Sequence, residues 1–106
     1  MTKYSPELQD RVTSTLRELR LTPYDLERAV NGAISHQTIR NVMSLGKVPS
    51  SDHIINIVEA IGLLQEWTPR KKRQLADEWL SLVDSRARYF ARVRHSLTAH
   101  ARSVAV

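Results

Sequence analysis

Three pairs of a hydroxyl residue followed by proline divide the chain into helical segments. Ser5-Pro6, Thr22-Pro23 and Thr68-Pro69 each place a capping side chain before a proline, which suits the first turn of a helix. Behind the first pair, apolar residues recur at spacings of four, four and three: Leu8, Val12, Leu16 and Leu19. This periodicity predicts a helix over about residues 6–20.

The chain between Thr22 and Gly46 predicts two short helices joined by a tight turn. Asp25 follows Thr22 at the spacing of a capping box, so the second helix begins there. Asn31-Gly32 ends it, since both residue types tolerate the left-handed backbone of a helix exit. Ser35 then caps a third helix, and Gly46 ends that helix.

The fourth and fifth helices carry most of the remaining apolar residues. Ser50 and Asp52 open the fourth helix, and Gly62 is expected to close it. Its apolar face consists of Ile54, Ile57, Val58 and Ile61. After Pro69 no Gly or Pro interrupts the chain, and an apolar stripe contains Leu75, Trp79, Leu82, Phe90, Val93 and Leu97, with Arg86 in its middle. No alternating strand pattern competes, so the predicted fold class is all-α: a four-helix unit followed by a long C-terminal amphipathic helix.

Composition excludes several classes of protein. The chain has no cysteine, so it contains neither disulfides nor thiolate metal sites. Its four histidines form no HExxH-like pair, and it has no glycine-rich phosphate loop. We therefore expect no metal, no cofactor and no enzymatic activity. The N-terminus lacks a signal peptide, and no stretch approaches the roughly 20 apolar residues of a membrane span, so we expect a cytoplasmic protein without membrane contact.

The positive charge of the chain lies in its C-terminal third. Residues 1–68 carry seven Lys/Arg and eight acids, a net charge of −1, whereas residues 69–106 carry nine Lys/Arg and three acids, a net charge of +6. Nucleic acid is a natural partner for such a surface, although a solvated helix that keeps the protein soluble would have the same composition. The densest group, called the basic cluster below, is Arg70, Lys71, Lys72 and Arg73; Arg88, Arg92 and Arg94 follow.

The third helix has the pattern of a recognition helix, which needs apolar anchors on one face and hydrogen-bonding side chains on the other. The anchors are Ile34, Ile39 and Val42. The outward residues are Ser35, His36, Gln37, Arg40, Asn41 and Ser44. Glutamine and asparagine can bond adenine bidentately, and arginine can read guanine or grip phosphate. The alternative is an ordinary solvated helix face.

Several short pieces between residues 8 and 63 follow one another in a characteristic order. They are Leu16–Arg20, Thr22–Leu26, Ile34–Ile39, Gly46, Pro49-Ser50 and Ala60–Leu63. In this order they resemble the Cro/C1-type (Xre) helix-turn-helix domain of phage repressors and bacterial regulators. The resemblance implies a lambda-repressor-like four-helix domain over residues 1–64, with residues 65–106 as a basic helix for dimerisation or DNA-backbone contact. The turn of this chain is longer than the family norm, and its small residue is Ala33 or Gly32.

The resemblance also implies roles for individual residues. His36, Gln37 and Asn41 fall on base-reading positions, whereas Arg40 falls where phosphate contacts are usual. The outward row of side chains itself adds Arg40 and Ser44 to the predicted base-reading residues. Phosphate contacts are implied for Tyr24, Ser35, Thr38 and Lys47. Because residues 1–68 carry little positive charge, we add the basic cluster to the phosphate contacts as a hypothesis.

These features predict sequence-specific binding of double-stranded DNA by a transcriptional regulator of the repressor type, which reads the major groove with helix 35–45. The resemblance implies a bacterial or phage-encoded protein associated with the nucleoid. The apolar stripe from Leu75 onward either folds back or pairs with a second copy, and we expect a homodimer. One alternative is a protein-interaction regulator, antitoxin-like or RNA-polymerase-binding, whose C-terminal helix docks another protein. The other is an architectural protein that binds DNA without sequence preference.

Overall fold

The computed structural model describes residues 3–83 of the chain, and these residues form five α-helices. The helices are α1 (Pro6–Leu19), α2 (Pro23–Ala29), α3 (His36–Leu45), α4 (Ser51–Gln65) and α5 (Pro69–Val83). One isolated antiparallel bridge pairs Tyr4 with Lys47 and ties the N-terminal segment to the end of α3. The predicted all-α class is therefore confirmed for the described residues.

Helices α1 to α4 begin directly after the capping residues from which their starts were predicted. The Ser5 hydroxyl accepts a hydrogen bond from the Leu8 amide at 3.1 Å at the start of α1. At α2, Thr22 and Asp25 form both bonds of the capping box, at 2.8 and 3.2 Å. Ser35 and Ser50 cap α3 and α4 in the same way. Each cap satisfies amides that the first turn leaves without a helical partner, so the sequence fixes these starts locally.

A single apolar core joins all five helices. Its members are less than about a tenth exposed and comprise Leu8, Val12, Leu16, Leu26, Ile34, Ile39, Val42, Ile54, Ile57, Val58, Ala60, Ile61 and Trp79. Burial of a large apolar side chain contributes roughly 1.5–3 kcal/mol to folding. The core therefore holds α3 by its inner face and leaves its other face to solvent.

Gly62 does not close α4, contrary to the sequence prediction. The helix continues to Gln65 and ends with Glu66 in the left-handed conformation, at φ 55°. A methyl group on Gly62 would lie 2.2 Å from Cδ of Lys72, because the stem of that lysine crosses the glycine. The glycine therefore permits a close approach of α5 to α4, and α4 continues beyond this residue.

Helix α5 folds back onto the rest of the molecule, which corrects part of the predicted dimer interface. It packs on α4 and α1, and Trp79 is only 1% exposed within the shared core. Leu75 and Leu82 pack against the same core. Trp79 is therefore covered by its own chain, and Leu75 and Leu82 are partly covered; the core that they join also contains residues of the predicted 1–64 domain. The other predicted interface residues, Phe90, Val93 and Leu97, lie outside the described residues.

The homodimer and the docking of another protein both stay predictions. Either partner would have to rely on surfaces other than Leu75, Trp79 and Leu82, since those side chains already pack internally. Among the described residues, no helix is both long and apolar enough to cross a membrane.

Candidate nucleic-acid interface

Helix α3 is held rigidly at both ends and along its inner face. Ile39 and Val42 are buried beneath it, and the Ser35 hydroxyl accepts from the Thr38 amide at 3.2 Å at its start. Its last turn closes on Gly46, whose φ of 69° lies in the left-handed region that glycine adopts without strain. With both ends and the inner face fixed, the direction of each outward side chain is set by the helix itself.

Four hydrogen-bonding side chains form the outward surface of this helix, called the α3 face below: Gln37, Arg40, Asn41 and Ser44. Gln37, Arg40 and Ser44 are exposed, and Asn41 is half-buried. The Nε2 of Gln37 donates to Oδ1 of Asn41 at 3.0 Å, so the two amides lie side by side. Helix α3 contains no aspartate or glutamate. The α3 face is therefore neutral to positive and consists of donors and acceptors.

His36 is held by two side chains of α2, Tyr24 and Glu27. Its Nδ1 lies 3.3 Å from both carboxylate oxygens of Glu27, and its ring stacks on Tyr24 with centroids 4.1 Å apart. The side chain is half-buried in consequence. Only Nε2 is left to meet a ligand, so the structure places His36 mainly in the contact between α2 and α3.

Glu27 is the functional residue that the sequence did not reveal. Its Oε1 accepts from the backbone N–H of His36 at 3.2 Å, in the first turn of α3. That hydrogen bond, followed by the one from the His36 ring, lowers the pKa of Glu27 below its ordinary value. The carboxylate thus accepts from one backbone amide at the N-terminus of α3, where negative charge is favoured. Nine residues separate the two partners, so no local spacing announces the contact.

Tyr24 also contacts the arginine of the α3 face. The Cζ of Arg40 lies over the tyrosine ring, 5.2 Å from its centroid. Tyr24 itself is 43% exposed, in the first turn of α2 behind Pro23. The predicted phosphate-contacting tyrosine therefore lies beside the α3 face and contacts Arg40 of that face as well as His36.

The connection between α2 and α3 contains two successive residues with positive φ. Asn31 has φ 51° and Gly32 has φ 82°, and the Gly32 amide donates to the Glu27 carbonyl at 2.9 Å. The side chain of Asn56 on α4 donates to the carbonyl of Ala33 at 3.4 Å. These bonds close the longer turn that the sequence indicated, with Gly32 rather than Ala33 in the left-handed conformation.

The predicted phosphate contacts near α3 divide into hydroxyls and one lysine. The hydroxyls of Ser35 and Thr38 lie 2.9 Å apart and bond one another at the helix start. Lys47 directly follows the end of α3 and pairs with Tyr4 through the isolated bridge. All three lie at the ends of the α3 face, which is where contacts to a backbone on either side of a groove would be needed.

The basic cluster does not act as one surface. The Nζ of Lys72 donates to Oε1 of Glu59 on α4 at 2.9 Å, and its side chain is only 20% exposed. This ion pair opposes the predicted phosphate contact of Lys72, because its charge is matched within the protein; the contact stays a prediction. The ammonium of Lys71 lies 4.5 Å from the ring centroid of Trp67, while Arg70 and Arg73 are exposed. Two arginines and one stacked lysine remain available to an external anion.

In comparisons with known proteins, the chain matches no family model, no curated protein and no solved structure. Within residues 3–83, no three His, Cys, Asp or Glu side chains come together as a group that could hold a metal ion.

Proposed function

We propose that this protein binds double-stranded DNA in a sequence-specific manner through the α3 face, as a helix-turn-helix regulator of the repressor type. The observation that carries the proposal is the exposed row of Gln37, Arg40 and Ser44, with Asn41 beside it, on a helix without acids. An α-helix fits the major groove, and these residue types match the donors and acceptors of base edges.

The charges around the α3 face favour an anionic partner. Both acids of α2 are occupied by contacts within the protein: Asp25 bonds Thr22 and Arg28, and Glu27 bonds His36. The other charged side chains between Thr22 and Pro49 are cations: Arg28, Arg40 and Lys47. A phosphate backbone at the α3 face would therefore meet little uncompensated negative charge, and neutralisation of phosphates supplies much of the affinity for DNA.

Two further parts of the proposal concern regions outside the α3 face. Arg70 and Arg73 are exposed on α5 and carry the part of the basic cluster that could reach DNA phosphates. A homodimer would let two copies of α3 read two half-sites. Light scattering tests this part, and a monomer at about the concentrations used for binding would contradict it.

Selection of bound duplexes from a random pool is the experiment that tests the central proposal. We expect wild-type protein to return one consensus sequence. Gln37→Ala with Asn41→Ala should weaken binding to it by roughly tenfold or more, since a bidentate base contact contributes about 1–3 kcal/mol. Gln74→Ala, an exposed amide on α5, is the matched control and should bind as the wild type does. Wild-type protein that ignores duplex DNA at low ionic strength would contradict the proposal.

A further inference from the structure

The arginine at the centre of the α3 face lies against an aromatic ring from the neighbouring helix. The Cζ of Arg40 is 5.2 Å from the centroid of Tyr24. Among the contacts of residues 3–83, the Arg40 guanidinium makes this one with the Tyr24 ring and no hydrogen bond or ion pair, and its side chain is exposed. A cation held by the face of a ring keeps its N–H groups for another partner.

The ring that holds Arg40 is itself fixed. Tyr24 lies in the first turn of α2, which Pro23 and the capping box of Thr22 define. The ring of His36 stacks on it at 4.1 Å with an angle of 24° between the planes. His36 in turn is bonded to the carboxylate of Glu27. The contacts therefore run from Glu27 through the two rings to Arg40, and they connect α2 with α3.

This arrangement restricts a side chain that is otherwise flexible. A free surface arginine samples many rotamers, and binding has to freeze them. Contact with a fixed ring removes part of that freedom before any ligand arrives, so less conformational entropy is lost when the guanidinium binds. Preorganisation of this kind raises affinity and sharpens discrimination between ligands.

The geometry points to Arg40 as the residue that reads guanine, with Tyr24 as the side chain that positions it. This inference rests on the proposed function of the α3 face. Arg40 lies in the N-terminal half of α3, between Gln37 and Ser44, and the N-terminal residues of a recognition helix are the ones that contact base edges. Guanine offers two adjacent acceptors, N7 and O6, which two N–H groups of one guanidinium match.

The test uses the consensus duplex obtained by selection and replaces its guanines, one at a time, by 7-deazaguanine, which lacks the N7 acceptor. Wild-type protein should lose roughly tenfold in affinity at one guanine of each half-site. Arg40→Ala should bind the normal and the substituted duplex equally. Arg17→Ala removes one exposed cation from α1 and is the matched control; it should keep the full sensitivity to 7-deazaguanine.

Two variants of Tyr24 separate positioning from direct contact. Tyr24→Phe keeps the ring and should keep the roughly tenfold sensitivity at the same guanine. Tyr24→Leu removes the ring, frees Arg40 and should reduce that sensitivity to about threefold, while the other guanines respond as before. Circular dichroism should be unchanged in both variants, because the tyrosine is an exposed residue outside the core.

The possible failures are distinguishable. Wild-type protein that selects no sequence overturns the proposed function itself. If Arg40→Ala binds the selected sequence more weakly, stays as sensitive to 7-deazaguanine as the wild type and depends less on salt, then Arg40 contacts a phosphate. That result overturns the guanine assignment alone. Tyr24→Leu that matches the wild type at every guanine overturns the positioning role.

Discussion

Helices α3 and α5 look alike in sequence and are used differently in the structure. Both are amphipathic, and both carry polar or basic side chains that sequence features assign to DNA. Helix α3 keeps Gln37, Arg40 and Ser44 exposed, whereas α5 directs Lys72 into an ion pair with Glu59. The contacts of each side chain therefore indicate a binding surface better than the density of charge along a helix does.

The two helices also differ in what fixes them. Helix α3 has a cap at each end and an apolar inner face, all of them local features of the sequence. Helix α5 is fixed by Trp79 in the shared core and by Lys72 across Gly62, and both contacts depend on distant parts of the chain. Variants at these contacts test whether α5 depends on distant parts of the chain and α3 on local ones.

Trp79→Ala should have the largest effect, because it removes the side chain that anchors α5. Truncation of a buried tryptophan costs about 3–5 kcal/mol, which is a large part of the stability of a domain of this size. The free energy of unfolding in urea measures the loss, and Gln74→Ala on the exposed side of α5 should change it little.

The same measurement at several protein concentrations separates two explanations for Trp79. Packing inside its own chain predicts that the loss does not depend on concentration. A loss that appears only at concentrations where two copies associate would return Trp79 to a dimer interface and contradict the fold of α5.

The effect of Gly62→Ala on stability should change sign when Lys72 is also replaced by alanine. In the wild-type chain the added methyl meets the stem of Lys72, so we expect destabilisation of about 1 kcal/mol or more. In a Lys72→Ala background the clash is gone, and the better helix propensity of alanine should stabilise the protein by roughly 1 kcal/mol. Urea unfolding of the four proteins gives the coupling, and equal effects in both backgrounds would contradict the close approach of α5.

Two members of the basic cluster, Arg73 and Lys72, should differ in how their replacement changes the salt dependence of DNA binding. Arg73 is exposed, so Arg73→Ala should reduce the dependence of log K on log salt by about 0.9 if it neutralises one phosphate. Lys72→Ala should leave that slope unchanged, because its charge is paired with Glu59. Salt titrations of both variants measure the slopes, and a larger change for Lys72→Ala than for Arg73→Ala would reverse the assignment.

Capping residues explain which parts of the fold could be predicted from sequence. Ser5, Thr22 and Ser35 act on amides within three residues, so the starts of α1, α2 and α3 follow from local spacing. The outward direction of the α3 face follows in the same way from the 3.6-residue period of Ile39 and Val42.

Contacts between helices explain what could not be predicted. Gly46 ends α3 and Gly62 lies inside α4, although both glycines follow an apolar helix face. Lys72 approaches Gly62 from α5 and has no fixed spacing to it, so the space that requires a glycine inside α4 cannot be predicted from local sequence. Likewise, His36 has the spacing of a base-reading residue, and only its contact with Glu27 shows that it positions other groups.

Glu27 gives the smallest effect and the most direct test of what fixes α3 to α2. The backbone N–H of His36, and then its ring, hold the pKa of Glu27 below its ordinary value of 4.5. Because the folded-state pKa is the lower one, the stabilisation is complete above pH 4.5 and is lost as the pH falls through the folded-state pKa. Glu27→Gln should therefore lower the free energy of unfolding at neutral pH and weaken its decline in acid. Glu18→Gln, an exposed residue of α1, should keep the wild-type decline. Identical declines in the wild type and Glu27→Gln would mean that the carboxylate does not bond the first turn of α3 in solution, and the α3 face would then be oriented by its apolar anchors alone.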